Sequence, residues 1–237
     1  MYQKKYHLET SDVDSFLELK MSSLFVMMQD AATEHAEQLG VGKKETLDKG
    51  LFWVISRYSV DIIKLPKYLD TIVVKTYPGD DLKFIFPRYF LIEDDKGNLL
   101  VRASSTWCVL DKATHQIAVD PFNGYKLPPE HYPNEEPLPR KVIKDDSKVI
   151  DRRTVRYSDI DLNGHLNNTK YVDYFMDTKP LDFYKKYRIK HITINYEKEM
   201  LYGDEVVMMS NEKQNEYLVG LVNDQRVFEI NIDYEER

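Results

Sequence analysis

Two carboxylates (Asp159, Asp161), three carboxamides (Asn163, Asn167, Asn168) and one imidazole (His165) fall within ten residues of this chain. Asp161, Asn163 and His165 alternate along the backbone. A carboxylate, a carboxamide donor and an imidazole so placed can converge on one carbonyl carbon and move protons there. Gly164 permits a tight turn between them. A helix that starts just after the loop offers unpaired N–H groups and a dipole that favours developing negative charge. On spacing alone, the same residues also make an ordinary polar turn with an Asn helix cap, since Asp and Asn are common turn formers.

Other chemistries lack their residues. Nine glycines yield no Walker loop, no dinucleotide pattern and no Gly-x-Ser-x-Gly elbow. Neither His-Glu-x-x-His nor Cys-x-x-Cys occurs, so no metal and no cofactor is expected. Cys108 is the single cysteine, and it sits in the apolar run Ser104–Leu110. It reads as a small core residue rather than a nucleophile, and low cysteine usage suits a reducing compartment. The net charge of −7 argues against a general nucleic-acid binder. A hydrophobic fraction of 42% supports a packed core. No apolar run is long enough to span a membrane, and Met1–His7 shows no leader pattern, so a cytoplasmic protein is expected.

The elements that must position the polar segment follow from periodicity. Leu24, Met28, Ala31, Ala32, His35 and Leu39 form one helical stripe, with Ser22 or Ser23 as cap and Gly40 as stop. Phe52–Ile62 alternates as a strand, and Thr71–Tyr77 is β-branched and bounded by Pro78-Gly79. Phe84–Ile92 reads as a strand whose Pro87 implies an edge or a bulge. A turn at Asp94–Gly97 leads to a long strand, Leu99–Asp111. The second half repeats the order. A strand starts at Thr154–Tyr157, and a short helix at Thr169–Met176 is capped by Asn167 or Asn168. Strands follow at Arg188–Tyr196, Asp204–Ser210, Tyr217–Val222 and Val227–Tyr234.

Five of the ten prolines (Pro128, Pro129, Pro133, Pro137, Pro139) cluster between these halves. Proline fixes φ and removes a donor, so an extended linker is expected over 126–147, between domains at 1–125 and 148–237. Tyr58, Val60 and Ile62 overlay Ile192, Ile194 and Tyr196, and the block from Lys67 overlays the block from Leu201. The pattern predicts an α+β fold of two related copies, each a helix wrapped by an antiparallel sheet. Paired copies leave monomer or homodimer open.

The segment Ser158–Tyr171 resembles the signature of acyl-acyl-carrier-protein (acyl-ACP) thioesterases, Ser-Asp-x-Asp-x-Asn-x-His-x-Asn-Asn-x-x-Tyr, at every fixed position. Trp53–Arg57, Ala103–Trp107 and Ile194–Met200 resemble further blocks of that family in the same order. The resemblance implies a tandem hotdog fold and hydrolysis of fatty acyl-ACP. It maps catalytic roles onto Asp161, Asn163, His165 and Glu199, with Asp159 as the rival for Asp161. The block ending in Met200 carries Cys in the family. A thioether cannot act as a thiolate, so activity here must rest on carboxylates and imidazole.

The same resemblance places the acyl slot in the first half, with Met27, Met28, Trp53, Ile55, Trp107 and Val109 as candidate walls. Each reads first as ordinary core. The family's carrier protein is acidic, so a basic patch must receive it. Arg152, Arg153, Lys185, Lys186 and Arg188 are the candidates, against the alternative of a solvated charged face. Two other functions fit the fold: an acyl-CoA thioesterase, because the Asp-x-x-x-His-x-Asn-Asn core is shared more widely, and a non-catalytic acyl-binding protein.

Overall fold

A computed structural model describes residues 1–213 and 215–237. The chain divides into two compact units, Met1–Pro139 and Arg140–Arg237. The first contains β1 (Tyr2–His7), α1 (Met21–Gln38), α2 (Lys43–Asp48), β2 (Leu51–Ile62), β3 (Thr71–Pro78), β4 (Phe86–Asp94) and β5 (Leu99–Asp111). Its sheet runs β1-β3-β4-β5-β2, with antiparallel neighbours throughout. The second contains β6 (Lys148–Thr154), α3 (Lys170–Met176), α4 (Leu181–Tyr184), β7 (Tyr187–Tyr196), β8 (Glu205–Ser210), β9 (Asn215–Val222) and β10 (Gln225–Glu236). Its order is β7-β10-β9-β8-β6, again antiparallel. Each unit is a helix laid on an antiparallel sheet, as the repeat predicts and as the hotdog fold implied by the resemblance requires.

Helix α1 buries Met21, Leu24, Phe25, Met27, Met28, Ala31, Ala32 and His35. It reaches β2 through an edge-to-face contact of Phe25 with Tyr58 at 5.1 Å. It starts earlier than its polar residues suggest. Lys20 takes the N-cap position without a side-chain bond, so Ser22 and Ser23 lie inside the helix. Gly40, at φ +69°, ends it as expected.

Pro87 lies in an interior strand, not at an edge. Its carbonyl accepts Gly79 N–H at 3.0 Å, where β3 has just ended. A residue's N–H and C=O point to the same side of a strand, so the missing donor faces a position that needs none. The strand expected from Thr154 instead ends there, and β6 precedes it. Strand β1 and helices α2 and α4 carry no periodic apolar signal. In β1 the half-buried positions are Tyr2, Lys4 and Tyr6, where the Lys4 stem stands in for an apolar side chain.

The stretch read as a linker splits between the units. Ser59 Oγ donates to Glu136 at 2.8 Å and Ser104 Oγ to the Pro137 carbonyl at 2.6 Å, which ties Glu136 and Pro137 to the first sheet. In the second unit Val142 packs on Tyr217 and Val219. Asn231 there exchanges two hydrogen bonds with the Ile143 backbone at 2.6 and 3.0 Å.

Candidate active site

The polar segment forms a narrow hairpin just after β6. Asp161 N–H donates to the His165 carbonyl at 2.8 Å, and Gly164 N–H to the Asp161 carbonyl at 3.1 Å. Gly164 sits at φ +87°, the left-handed region where glycine carries no steric penalty. Asp161 Oδ1 accepts the N–H groups of Asn163 at 2.7 Å and His165 at 3.2 Å. Its Oδ2 lies 3.4 Å from Asn163 Nδ2. The hairpin's return arm bridges His165 to Leu201, and Leu166 N–H donates to the Met200 carbonyl at 2.8 Å.

That bridge brings Glu199 to the loop. Its Oε2 lies 3.2 Å from His165 Nε2, and both side chains are partly exposed, at 36% and 28%. With the Nε2 proton held on Glu199, Nδ1 carries the lone pair that can take a proton from a nucleophile. Asp161, Asn163, His165 and Glu199 are therefore brought together around one turn.

Asp159 is used elsewhere. Its Oδ2 accepts Arg156 N–H at 2.9 Å and the Tyr174 hydroxyl at 2.9 Å. Tyr174, which sequence reading did not single out, thus pins the loop to α3. Burial and that bond to Asp159 push its phenol well above the usual range. Asn167 Oδ1 accepts both N–H and Oγ1 of Thr169 at 3.0 Å, and Lys170 N–H donates to the Asn167 carbonyl at 2.9 Å. Thr169 occupies the helix cap itself. Two amides at the helix start are thereby already used.

Tyr171 is 3% exposed in the first turn of α3 and packs edge-on against Tyr196 at 5.0 Å and Phe228 at 5.2 Å. Burial and the nearby Glu199 carboxylate raise its phenol pKa, so it stays protonated beside the dyad. Phe228 fits because β9 offers Gly220 opposite: a Cβ there would lie 2.0 Å from the ring.

Met200, at the family's Cys position, is fully buried and contributes only its carbonyl. Cys108 is half-buried in β5 of the first unit, and burial pushes its thiol up. Neither sulfur takes part in the turn. Among the described residues no cluster of His, Cys, Asp and Glu could hold a metal ion.

Register places the candidate wall residues Trp53, Ile55, Trp107 and Val109 on one sheet face, since Trp53 pairs with Val109 and Ile55 with Trp107. Trp53, Trp107 and Val109 pack with Val41, Phe86, Phe122 and Leu127. Trp53 Nε1 donates to the Val41 carbonyl at 2.7 Å. Met27 and Met28 lie on the buried stripe of α1.

The basic candidates are mostly paired within the second unit. Arg152 meets Glu205 at 3.2 Å, Arg153 meets Asp177 at 2.8 Å and lies over the Tyr174 ring, and Lys185 meets Asp182 at 2.6 Å. Arg188 meets Glu235 at 2.7 Å. Lys185 and Lys186 also line a shallow groove with Tyr187, Glu236 and Arg237. No described helix is long and apolar enough to cross a membrane.

The model of the acyl-ACP thioesterase N-terminal domain matches residues 1–120, and that of the acyl-ACP thioesterase C-terminal domain matches residues 143–236. The chain is 25% identical over 214 residues to a chloroplastic palmitoyl-acyl carrier protein thioesterase of Arabidopsis thaliana, which covers 84% of this chain and 52% of that protein. A chloroplastic dodecanoyl-[acyl-carrier-protein] hydrolase of Cinnamomum camphora is also 25% identical over 214 residues, covering 84% and 56%. The chain thus spans about half the length of the curated relatives it matches. Among solved structures, an acyl-ACP thioesterase from Bacteroides thetaiotaomicron VPI-5482 aligns with a TM-score of 0.88 at 25% identity, over 98% of this chain and 97% of that one. The 12:0-ACP thioesterase from Umbellularia californica shares the fold, with a TM-score of 0.86 at 20% identity over 100% and 97%. Each half is matched by its own domain model, in the order in which the two units follow each other, and on that ground the chain belongs to the acyl-ACP thioesterase family.

Proposed function

We propose that this protein hydrolyses fatty acyl-ACP thioesters to free fatty acid and holo-ACP, in the cytoplasm and in the service of fatty acid biosynthesis. The observation that carries the reading is the 3.2 Å contact of His165 with Glu199 beside the turn of Asp161 and Asn163, in a chain of this family. A pure binder has no need of a proton-transfer pair.

A thioester is already activated, so the protein must supply an oriented nucleophile, a donor for the oxyanion and a proton for the thiol. In this reading Asp161 attacks the carbonyl or activates the water that does so. Asn163 Nδ2 holds the carbonyl oxygen as it gains charge. His165, polarised by Glu199, takes the proton and passes it to the sulfur as the C–S bond breaks. The reaction needs no cofactor. The first unit holds the acyl chain, along Trp53, Ile55, Trp107, Val109, Met27 and Met28, and the second supplies the chemistry.

The carrier docks through basic residues, of which Arg152, Arg153, Lys185, Lys186 and Arg188 are the candidates. Reversing their charge raises KM for acyl-ACP in a salt-sensitive way and leaves acyl-pantetheine unaffected.

The direct test is thiol release from matched acyl-ACP and acyl-CoA over a chain-length series. Faster release from acyl-ACP is expected. Preference for CoA would assign the acyl-CoA reading, and no release from either would assign a binder. Asp161→Asn should fold normally and lose most turnover; hydrolysis near the wild-type rate would remove Asp161 from the chemistry.

A further inference from the structure

The hairpin that carries Asp161, Asn163 and His165 has a copy in the first unit. Ser11-Asp12-Val13-Asp14 is followed by Ser15-Phe16-Leu17-Glu18-Leu19, as Ser158-Asp159-Ile160-Asp161 is followed by Leu162-Asn163-Gly164-His165-Leu166. The backbone bonds coincide. Asp14 N–H donates to the Glu18 carbonyl at 2.8 Å and Leu17 N–H to the Asp14 carbonyl at 3.1 Å, the same lengths as in the catalytic turn. Leu19 N–H reaches the Pro66 carbonyl at 2.9 Å, as Leu166 reaches Met200 at 2.8 Å. Glu18 bridges Lys67 as His165 bridges Leu201. Leu17 even takes the left-handed conformation of Gly164, at φ 60°.

The side chains differ where chemistry would need them. Phe16 stands for Asn163, Glu18 for His165 and Leu65 for Glu199. The aspartate alone is kept, and it does one thing in both places. Asp14 Oδ1 accepts Phe16 N–H at 2.8 Å and Glu18 N–H at 3.1 Å. Asp161 Oδ1 accepts Asn163 and His165 N–H at 2.7 and 3.2 Å. A group kept in a turn that has neither the imidazole nor the carboxamide is kept for what the backbone requires of it. A carboxylate that bonds the amides two and four residues ahead fixes the direction in which those two residues project.

We infer that residues 11–19 are a chemically silent copy of the active-site turn. In both copies the aspartate Oδ1 is a positioning atom, and in the second it sets where Asn163 and His165 point. The inference rests on the proposed function only in naming those two as the groups positioned.

The test pairs Asp14 and Asp161 variants to Asn, Ala and Glu, read by native-state amide exchange at residues 16, 18, 163 and 165 and by acyl-ACP turnover. Asn keeps the Oδ1 acceptor. Ala removes it, and Glu keeps the charge but displaces the oxygens by one methylene. Two lost bonds should speed exchange of the paired amides by roughly tenfold or more in the Ala and Glu variants of either turn, and leave it slow in the Asn variants. Asp161→Glu should lower kcat more than it raises KM, because binding survives and aim does not. Asp14→Ala should leave kcat unchanged. If an Ala variant does not fold, the Glu and Asn variants carry the same comparison. Equal exchange in Asp161→Asn and Asp161→Glu, or unchanged exchange in Asp14→Ala, would overturn the assignment. Slow amides in Asp161→Asn with near wild-type turnover would support it while removing the carboxylate chemistry proposed above.

Discussion

The interiors of the two units are solved differently. In the first, Arg88 on β4 is buried under α1, and among the described residues its guanidinium bonds two neutral groups: His35 Nδ1 and Thr76 Oγ1, each at 3.2 Å. No described carboxylate lies within ion-pair distance of it, and burial lowers its pKa to about 10. In the second, Lys179 just after α3 pairs with the buried Glu216 at 2.9 Å. Ser210 and Tyr234 also donate to that carboxylate. Helix α3 has seven residues against the eighteen of α1, and the chain just beyond it enters this buried polar network through Lys179. The aromatic cluster of Trp53, Phe86 and Phe122 has its place in the first unit only. The lesson is one of separable parts. A similar backbone carries the turn of Asp161, Asn163 and His165 in one unit, and the long helix with the Trp53 cluster in the other.

The sharpest break of that comparison places one residue at both twin positions. His165→Gln should lower kcat roughly 100- to 10,000-fold, the range of a lost general acid–base. Glu18→Gln should leave kcat at the wild-type level, measured well below the melting temperature. Comparable losses from both would end the idea of a silent copy.

The interiors come next. Lys179→Met strands the Glu216 carboxylate in the core and should cost about 3–5 kcal/mol in denaturant unfolding. Arg88→Met leaves behind only the neutral His35 and Thr76, so it should cost far less or stabilise. A larger loss from Arg88→Met would show that the guanidinium has a compensation not visible in its contacts.

The smallest effect is one of pH. Burial, then the Arg88 charge, hold His35 at about 4, below the ordinary value of 6.5. The unfolded chain therefore binds the proton first. His35 contributes stability that is complete above pH 6.5 and is lost as pH falls toward 4. His35→Gln should flatten the melting temperature over that interval, and an unaltered slope would mean that other groups set it.

Much of this was legible in the chain. Period-two runs such as Phe52–Ile62 and Arg188–Tyr196 declare strands, because a sheet with one buried face imposes alternation. Strand β1 escaped because its half-buried positions include Lys4, and α2 because only Thr46 of its residues is buried. Thr154–Tyr157 looked like a strand start because composition does not reveal where a ladder ends. The ladder stops when the partner β8 begins at Glu205, opposite Thr154. The roles of Asp159 and Asp161 were not separable by type. Tyr174 separates them, and it reaches Asp159 only once α3 has docked.

The covalent order of the chain settles which groups are available: a carboxamide and an imidazole two residues apart on a turn that glycine permits, a glutamate far along the chain, and a methionine rather than a thiol at position 200. Those are local facts of residue type and spacing. The meeting of His165 with Glu199 and the division of Asp159 from Asp161 belong to the tertiary structure. They depend on which turn lies beside which and on what burial does to a charge, and both arise only when distant segments exchange hydrogen bonds.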